Sequence, residues 1–266
     1  MINSEVFNPS EITDKIVQWL KDYATNAKVK GFVVGISGGI DSALTSTLCA
    51  KTGFPTLCVE MPIHQAASHV NRANEHISHL KNQFSNVWNE RADLTPVFEQ
   101  FKNQVPSHEN ETLLNLTLAN TRARLRMTTL YYYAGINQYL VVGTGNKIED
   151  FGIGFFTKYG DGGVDISPIA DLLKSEVRKL AKFLDVPESI LQAKPTDGLF
   201  GDDRSDEDQI GASYDELEWA MKIIENEEKN VKIELFSERQ KAVINLYKRL
   251  NISNKHKMIP IPICEL

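Results

Sequence analysis

Gly31-Phe32-Val33-Val34-Gly35-Ile36-Ser37-Gly38-Gly39-Ile40-Asp41-Ser42 is the stretch on which the fold turns. Its first six residues are an apolar, partly β-branched run punctuated by glycine, which predicts a short strand over 31–36. A helical stretch from Asp41 to about Lys51 follows with no room for a linker, so the segment reads as strand, tight loop and helix. Gly38 and Gly39 have no Cβ, which lets the backbone turn sharply and come close to an anion. Ser37 and Ser42 supply hydroxyl donors, and the start of the helix supplies unused N–H groups and about half a positive charge. Gly35, Ile36, Ser37, Gly38, Gly39, Ile40, Asp41 and Ser42 are therefore expected to cradle a pyrophosphate. An acid in such a loop would repel bare phosphate, so Asp41 points to a Mg2+ shared by carboxylate and phosphate oxygens. An isolated Ser-Gly-Gly is more often a plain capped turn; the flanking strand and helix favour the cradle. No Gly-Lys-Ser/Thr follows, as a Walker loop requires, and the dinucleotide fingerprint GxGxxG is absent.

Outward from this segment, strands and helices alternate. Ile12, Ile16, Leu20 and Tyr23 recur at helical spacing behind Pro9 and Ser10, predicting an amphipathic helix before the strand. A second strand is expected at Thr56 to Met61, helices near 66–83 and 111–134, and another strand at Tyr139 to Val142. Such alternation predicts an α/β fold, a doubly wound parallel sheet with flanking helices, as a single domain over 1–266. Ligands of such sheets bind at the carboxyl ends of the strands. Pro195 to Asp208, rich in acid and glycine, reads as a mobile loop near 195–208 with the role of a lid. Helices are expected at about 213–228 and 236–250, with a polar, basic tail from Asn251.

Composition narrows the function. With 266 residues, 42% hydrophobic, the chain can bury a substantial core without disulfides. A formal net charge of -6 argues against a nucleic-acid partner, since such proteins usually present a basic face. Three cysteines, Cys49, Cys58 and Cys264, match neither a zinc site nor a redox pair and fit a reducing cytoplasm. No apolar run approaches the roughly 18 residues of a membrane span, and Glu5 and Glu11 stand where a signal peptide would be basic. A cytoplasmic protein with no membrane association is expected.

The Ser37–Ser42 pattern resembles the signature of PP-loop ATP pyrophosphatases, which split ATP into AMP and pyrophosphate. A second constellation narrows the match: Gly143-Thr144-Gly145-Asn146-Lys147-Ile148-Glu149-Asp150, then Gly154-Phe155-Phe156-Thr157-Lys158-Tyr159-Gly160-Asp161-Gly162-Gly163-Val164-Asp165. Together these resemble ammonia-dependent NAD synthetases, from about residue 30 to the end. The resemblance implies an adenine nucleotide α-hydrolase-like fold and ATP-dependent amidation of deamido-NAD (nicotinic acid adenine dinucleotide) to NAD, the last step of NAD biosynthesis. It implies an acyl-adenylate intermediate, ammonia as nitrogen donor, release of AMP and pyrophosphate, and a homodimer with the dinucleotide site near its interface; the helix around 112–134, with its Thr129-Leu130-Tyr131-Tyr132-Tyr133 face, is the candidate for that contact. The amidohydrolase domain of glutamine-dependent relatives is not expected, since the resemblance uses the residues from about 30 to 266.

Residue by residue, the resemblance assigns Thr144, Lys174 and Thr196 to ATP, with Lys174 stabilising charge as pyrophosphate leaves. It assigns Arg124, Lys158, Asp165, His256 and Lys257 to deamido-NAD, and Asp41 with Glu149 to Mg2+. No covalent residue is implied. One residue more than in many relatives separates Glu149 from Phe155, which leaves Asp150 as an alternative ligand. Relatives often carry a basic residue where this chain reads Glu60-Met61-Pro62, which puts ATP contacts there, including any by Gln65, in question. Arg122 and Arg126 share a helical face that is more often a solvated or salt-bridged one. The rival readings are another PP-loop ligase, a tRNA-modifying member, which the acidic balance disfavours, and a non-catalytic nucleotide binder.

Overall fold

Alternate residues of the first strand go to opposite sides. Phe32 and Val34 enter one apolar cluster and Val33 another, because successive side chains of a strand point to opposite faces. In the structure, a computed structural model that describes residues 7–194, 205–225 and 236–265, this strand is β1 (Gly31–Gly35). It is central in a parallel sheet with β2 (Thr56–Glu60), β3 (Val87–Arg91) and β4 (Tyr139–Val141), ordered β3-β2-β1-β4. The register sets Phe32 beside Thr56 and Leu140, and Glu60 beside Arg91.

Helices cover both faces. On one side α1 (Pro9–Ala27), α2 (Ile40–Lys51), α3 (Ala67–Gln83), α6 (Lys174–Phe183) and α7 (Glu188–Leu191) pack on Phe32, Val34 and Cys58. On the other, α4 (Thr95–Gln104) and α5 (Glu111–Asn137) pack on Val33, Leu57, Val59 and Val141. Each fully buried aliphatic or aromatic side chain contributes about 1.5–3 kcal/mol, so a sheet covered on both faces concentrates stability in β1 and β2. The α1 start follows its signal: Asn8 accepts from the Glu11 N–H and Pro9 takes the first turn. Its buried face includes Leu20 and Ala24, whereas Tyr23 is exposed.

A third apolar cluster lies beyond β4. Ile148 and Ile153 of a π-helical turn, Lys147–Ile153, pack with α8 (Asp206–Ile210), α9 (Tyr214–Glu225) and α10 (Glu238–Met258). Two elements, the edge strand β3 and the helix α4, were not foreseen, and two expectations need correction. The helix expected to stop near 250 runs to Met258, with Asn251, Asn254 and Lys257 on one face donating to the carbonyls of Gly152, Ile153, Gly154 and Phe156. The polar tail is therefore a helix that clamps the π-helical turn. Ser205 to Asp208, expected within the mobile loop, forms a capped helix start in which the Ser205 hydroxyl accepts from the Asp208 N–H. Residues 195–204, with Thr196, lie outside the described residues. Among the described residues no helix is long and apolar enough to cross a membrane.

Candidate active site

The strand order reverses between β1 and β4, and a cleft of about 290 Å3 opens at their carboxyl ends, the place where open parallel sheets bind ligands. The loop after β1 forms one wall. Gly38 has φ +81, and a Cβ there would stand 2.5 Å from the carbonyl oxygen of His69, so the close approach of loop and α3 requires glycine. Ser42 Oγ donates to the Gly39 carbonyl at 2.9 Å and lies 3.1 Å from Ser37 Oγ, which ties the loop into a ring. Gly39 caps α2 without a side-chain hydrogen bond, which leaves the first N–H groups of a twelve-residue helix for an anion. Arg72 Nε, donating to the Gly38 carbonyl at 3.1 Å, braces the loop from α3.

The opposite wall supplies charge. Lys174 opens α6, where the Glu176 carboxylate reaches back to the Leu173 N–H, and is 2% exposed. Its Nζ donates to Asp41 Oδ2 at 2.6 Å and to Glu149 Oε1 at 3.0 Å, joining residues 133 and 25 positions away. Asn146, fully buried, donates to Asp41 Oδ1 at 3.1 Å and accepts from the Glu149 N–H at 3.1 Å, so one amide sets both acids. The Tyr214 hydroxyl donates to Glu149, and its ring lies 4.9 Å from Lys174 Nζ. Burial raises the Asp41 carboxyl against the pull of Lys174. For Glu149 burial also pushes up, but the Lys174 charge and the Tyr214 hydroxyl outweigh it and hold the group low. Burial alone would lower the Lys174 ammonium; the two carboxylates raise it instead, keeping it charged.

Two carboxylates converging on one cation suit Mg2+, which takes one or two protein carboxylates and fills its octahedron with water and phosphate oxygens. The Lys174 ammonium itself marks the position a cation occupies between them. Asp150 lines the same cleft but is not bridged by Lys174, its carboxylate packed so closely on Gly145 that a Cβ there would come within 1.9 Å. Burial pushes that carboxyl well up, with Glu149, Asp161 and Asp41 adding to the effect. Removing the tyrosine hydroxyl should test how Glu149 is held. Tyr214→Phe is expected to raise the Mg2+ concentration for half-maximal activity by about tenfold, the low end for groups that orient metal ligands; an unchanged Mg2+ titration would remove Tyr214 from this role.

The family model for NAD synthase matches residues 12–260. The chain belongs to the NAD synthase family. It is 37% identical over 252 residues, 94% of this chain and 95% of the relative, to the NH(3)-dependent NAD(+) synthetase of Carboxydothermus hydrogenoformans. Among solved structures it is similar to NMN synthetase from Francisella tularensis (TM-score 0.83, 32% identity, 98% of this chain and 100% of that one). It is also similar to the NH3-dependent NAD synthetase of Campylobacter jejuni solved with nitrate (TM-score 0.77, 26% identity, 97% and 100%).

Set within the NAD synthase family, the residues singled out in the sequence divide into groups. Gly35 to Ser42, Thr144, Glu149 and Lys174 all line the cleft. Arg124, Lys158 and His256 come together outside that lining: Arg124 Nη2 donates to the Lys158 carbonyl at 3.4 Å and Lys158 Nζ to the His256 carbonyl at 2.5 Å. Lys257 lines a smaller adjoining cavity, its Nζ committed to the Gly154 carbonyl at 2.6 Å and the Phe156 carbonyl at 2.8 Å. Asp165 is brought to neither; it accepts from the Tyr131 hydroxyl at 2.9 Å and the Val141 N–H at 2.8 Å, fastening α5 to β4.

Several cleft residues escaped the sequence reading. Arg126 donates to the Met61 carbonyl at 3.0 Å and to Gln65 Oε1 at 2.9 Å and lines the cleft, while Arg122 stacks 4.5 Å over Phe98. Their shared helical face was visible, but its partners were not. Glu60, Met61, Pro62 and Gln65 all line the cleft, and burial raises the Glu60 carboxyl against the pull of Arg91. Asn146 stood inside the quoted motif, where an asparagine ahead of a helical turn is an N-cap signal. Tyr214 carried no local signal at all.

Proposed function

We propose that this chain amidates deamido-NAD with ammonia at the expense of ATP, giving NAD, AMP and pyrophosphate. The observation that carries the reading is the Lys174 bridge between Asp41 and Glu149, set beside an open helix N-terminus at the carboxyl ends of β1 and β4. Ammonia does not displace oxide from a carboxylate, so the nicotinate carboxylate must first be given a leaving group. It attacks the α-phosphorus of ATP, the bond to pyrophosphate breaks, and the resulting acyl-adenylate loses AMP to ammonia. The Ser37–Ser42 loop and the α2 N–H groups hold the polyphosphate, Thr144 positions it, and Lys174 meets the charge that develops on departing pyrophosphate. Asp41 and Glu149 would hold Mg2+, whose contribution is neutralisation of phosphate charge. No side chain is required as a nucleophile.

Arg124, Lys158 and His256, gathered at one place, support a site for the negatively charged diphosphate of the dinucleotide. Asp165 and Lys257 would serve by fixing the walls of that site through the bonds they make. The exposed apolar residues of α5, Leu113, Leu116, Tyr131, Tyr132 and Ile136, support pairing with a second copy of the chain. Three free thiols suit a reducing cytoplasm, and the residues of the mechanism, drawn from across 1–266, are proposed to act as a single domain.

A second reading is favoured by the full-length likeness to an NMN synthetase: the same chemistry applied to nicotinic acid mononucleotide. Purified protein given ATP, Mg2+, ammonium and either carboxylate should form NAD from deamido-NAD with a higher kcat/KM than NMN from the mononucleotide, AMP appearing in equal amount. The reverse preference would establish the second reading, and absence of AMP with both would dismiss the ligase.

A further inference from the structure

The Lys174 ammonium stands between the two carboxylates that would share a divalent cation. Its Nζ is 2.6 Å from Asp41 Oδ2 and 3.0 Å from Glu149 Oε1, so it holds one oxygen of each acid that a shared metal would draw on. Mg2+ holds its oxygen ligands at about 2.0–2.1 Å, so an ion bound to the two oxygens that Lys174 holds would overlap the ammonium. A double and a single positive charge that close repel strongly in a water-poor cleft. Charge counting leads the same way. Two carboxylates and one ammonium leave a single negative charge; a metal added to the three leaves a net positive charge and an ammonium without a partner. That ammonium is 2% exposed, and burying it unpaired is costly.

We propose that Lys174 and the divalent cation are alternative occupants of the Asp41–Glu149 pair, so that the metal enters only when a polyphosphate arrives to receive the lysine. The proposal rests on the Mg2+ reading above and goes beyond it by fixing an order: nucleotide and metal enter together, and Lys174 is the group exchanged. The geometry allows the exchange. Lys174 sits at the first residue of α6, so its backbone is anchored while its flexible four-carbon stem can re-aim the head. It lines the same cleft as the Ser37–Ser42 loop, which gives the head an anion to move to. Glu149 has other ties: its backbone N–H donates to Asn146, and the Tyr214 hydroxyl donates to the same Oε1 that the lysine holds, so that oxygen keeps a partner when the lysine leaves.

The test uses Mn2+ as the probe metal on the whole chain. Without nucleotide, Lys174→Met and Lys174→Gln are expected to bind Mn2+ at least about tenfold more tightly than wild type, within the usual range of coupling between two ligands. Electron paramagnetic resonance of free Mn2+ reads this without reference to activity. If neither variant folds, the wild-type protein still decides. With 15N-labelled lysine, the Lys174 ammonium resonance, assigned from its loss in Lys174→Arg, should be unmoved by Mg2+ alone and shifted by Mg2+ with a non-hydrolysable ATP analogue. Wild-type Mn2+ affinity equal to that of the variants, or a resonance unmoved with metal and analogue both bound, overturns the exchange while leaving the metal site intact. Failure of the protein to bind Mn2+ even with the analogue would remove the metal site itself, and the exchange with it.

Discussion

Asp41→Asn is expected to lower the rate of AMP formation by about 10²–10³-fold, the range seen when one preorganised charge-stabilising group is removed from a site. Asparagine keeps the shape of the side chain, and its single carbonyl oxygen can still accept from Asn146, so the loop should persist. What disappears is a negative charge at the head of α2, and with it one of the two carboxylates proposed to bring a cation against the polyphosphate. Lys174, its pairing reduced to Glu149, would lean more strongly on that acid, which makes the remaining ligand less available as well. Rapid-quench measurement of AMP at saturating ATP checks the outcome, with circular dichroism to confirm the fold. Turnover equal to the unaltered protein would exclude Asp41 from the chemistry.

Gly38→Ala should have the second largest effect, by a different physical route. At φ +81 an alanine costs about 1–2 kcal/mol in backbone conformation alone. The added methyl would also meet the His69 carbonyl oxygen at 2.5 Å, a backbone atom near the start of α3 that cannot rotate away. Loop and helix must separate, and the N–H groups aimed into the cleft move with the loop. A displacement of about 1 Å at a reacting centre can cost 10²-fold, so kcat/KM for ATP is expected to fall by about that factor. Calorimetry should show a lower melting temperature, because the bond from Arg72 to the Gly38 carbonyl would be strained together with the loop. A variant with native KM for ATP and native melting temperature would refute the close-approach argument.

The parts legible in the sequence were those whose cause is local. Gly31 to Ser42 carries its strand, turn and helix in twelve consecutive residues, and the structure follows it to within a residue. The strand β3 was hidden because it lies at the sheet edge: Val87 is buried, whereas Glu90 and Arg91 are exposed, so no alternation emerges. The end of α10 was hidden for the opposite reason. Asn251, Asn254 and Lys257 pack against carbonyl groups and not apolar side chains, and hydrophobic periodicity is blind to that pairing. At the site, Asp41 and Glu149 were found through motifs, each adjacent to its own glycine turn. Tyr214, 65 residues from Glu149, is placed by the burial of α9 against α10, a tertiary fact with no counterpart in local spacing.

Asp41 rides on a helix rooted in the apolar cluster against the sheet, whereas Glu149 and Tyr214 are rooted in the separate cluster formed with α9 and α10. The ion pair is thus a seam stitched across two independently packed blocks. Any slip of one block past the other changes the gap between the acids at once, so the tightness of this stitch is a gauge of how well the two halves of the molecule are aligned.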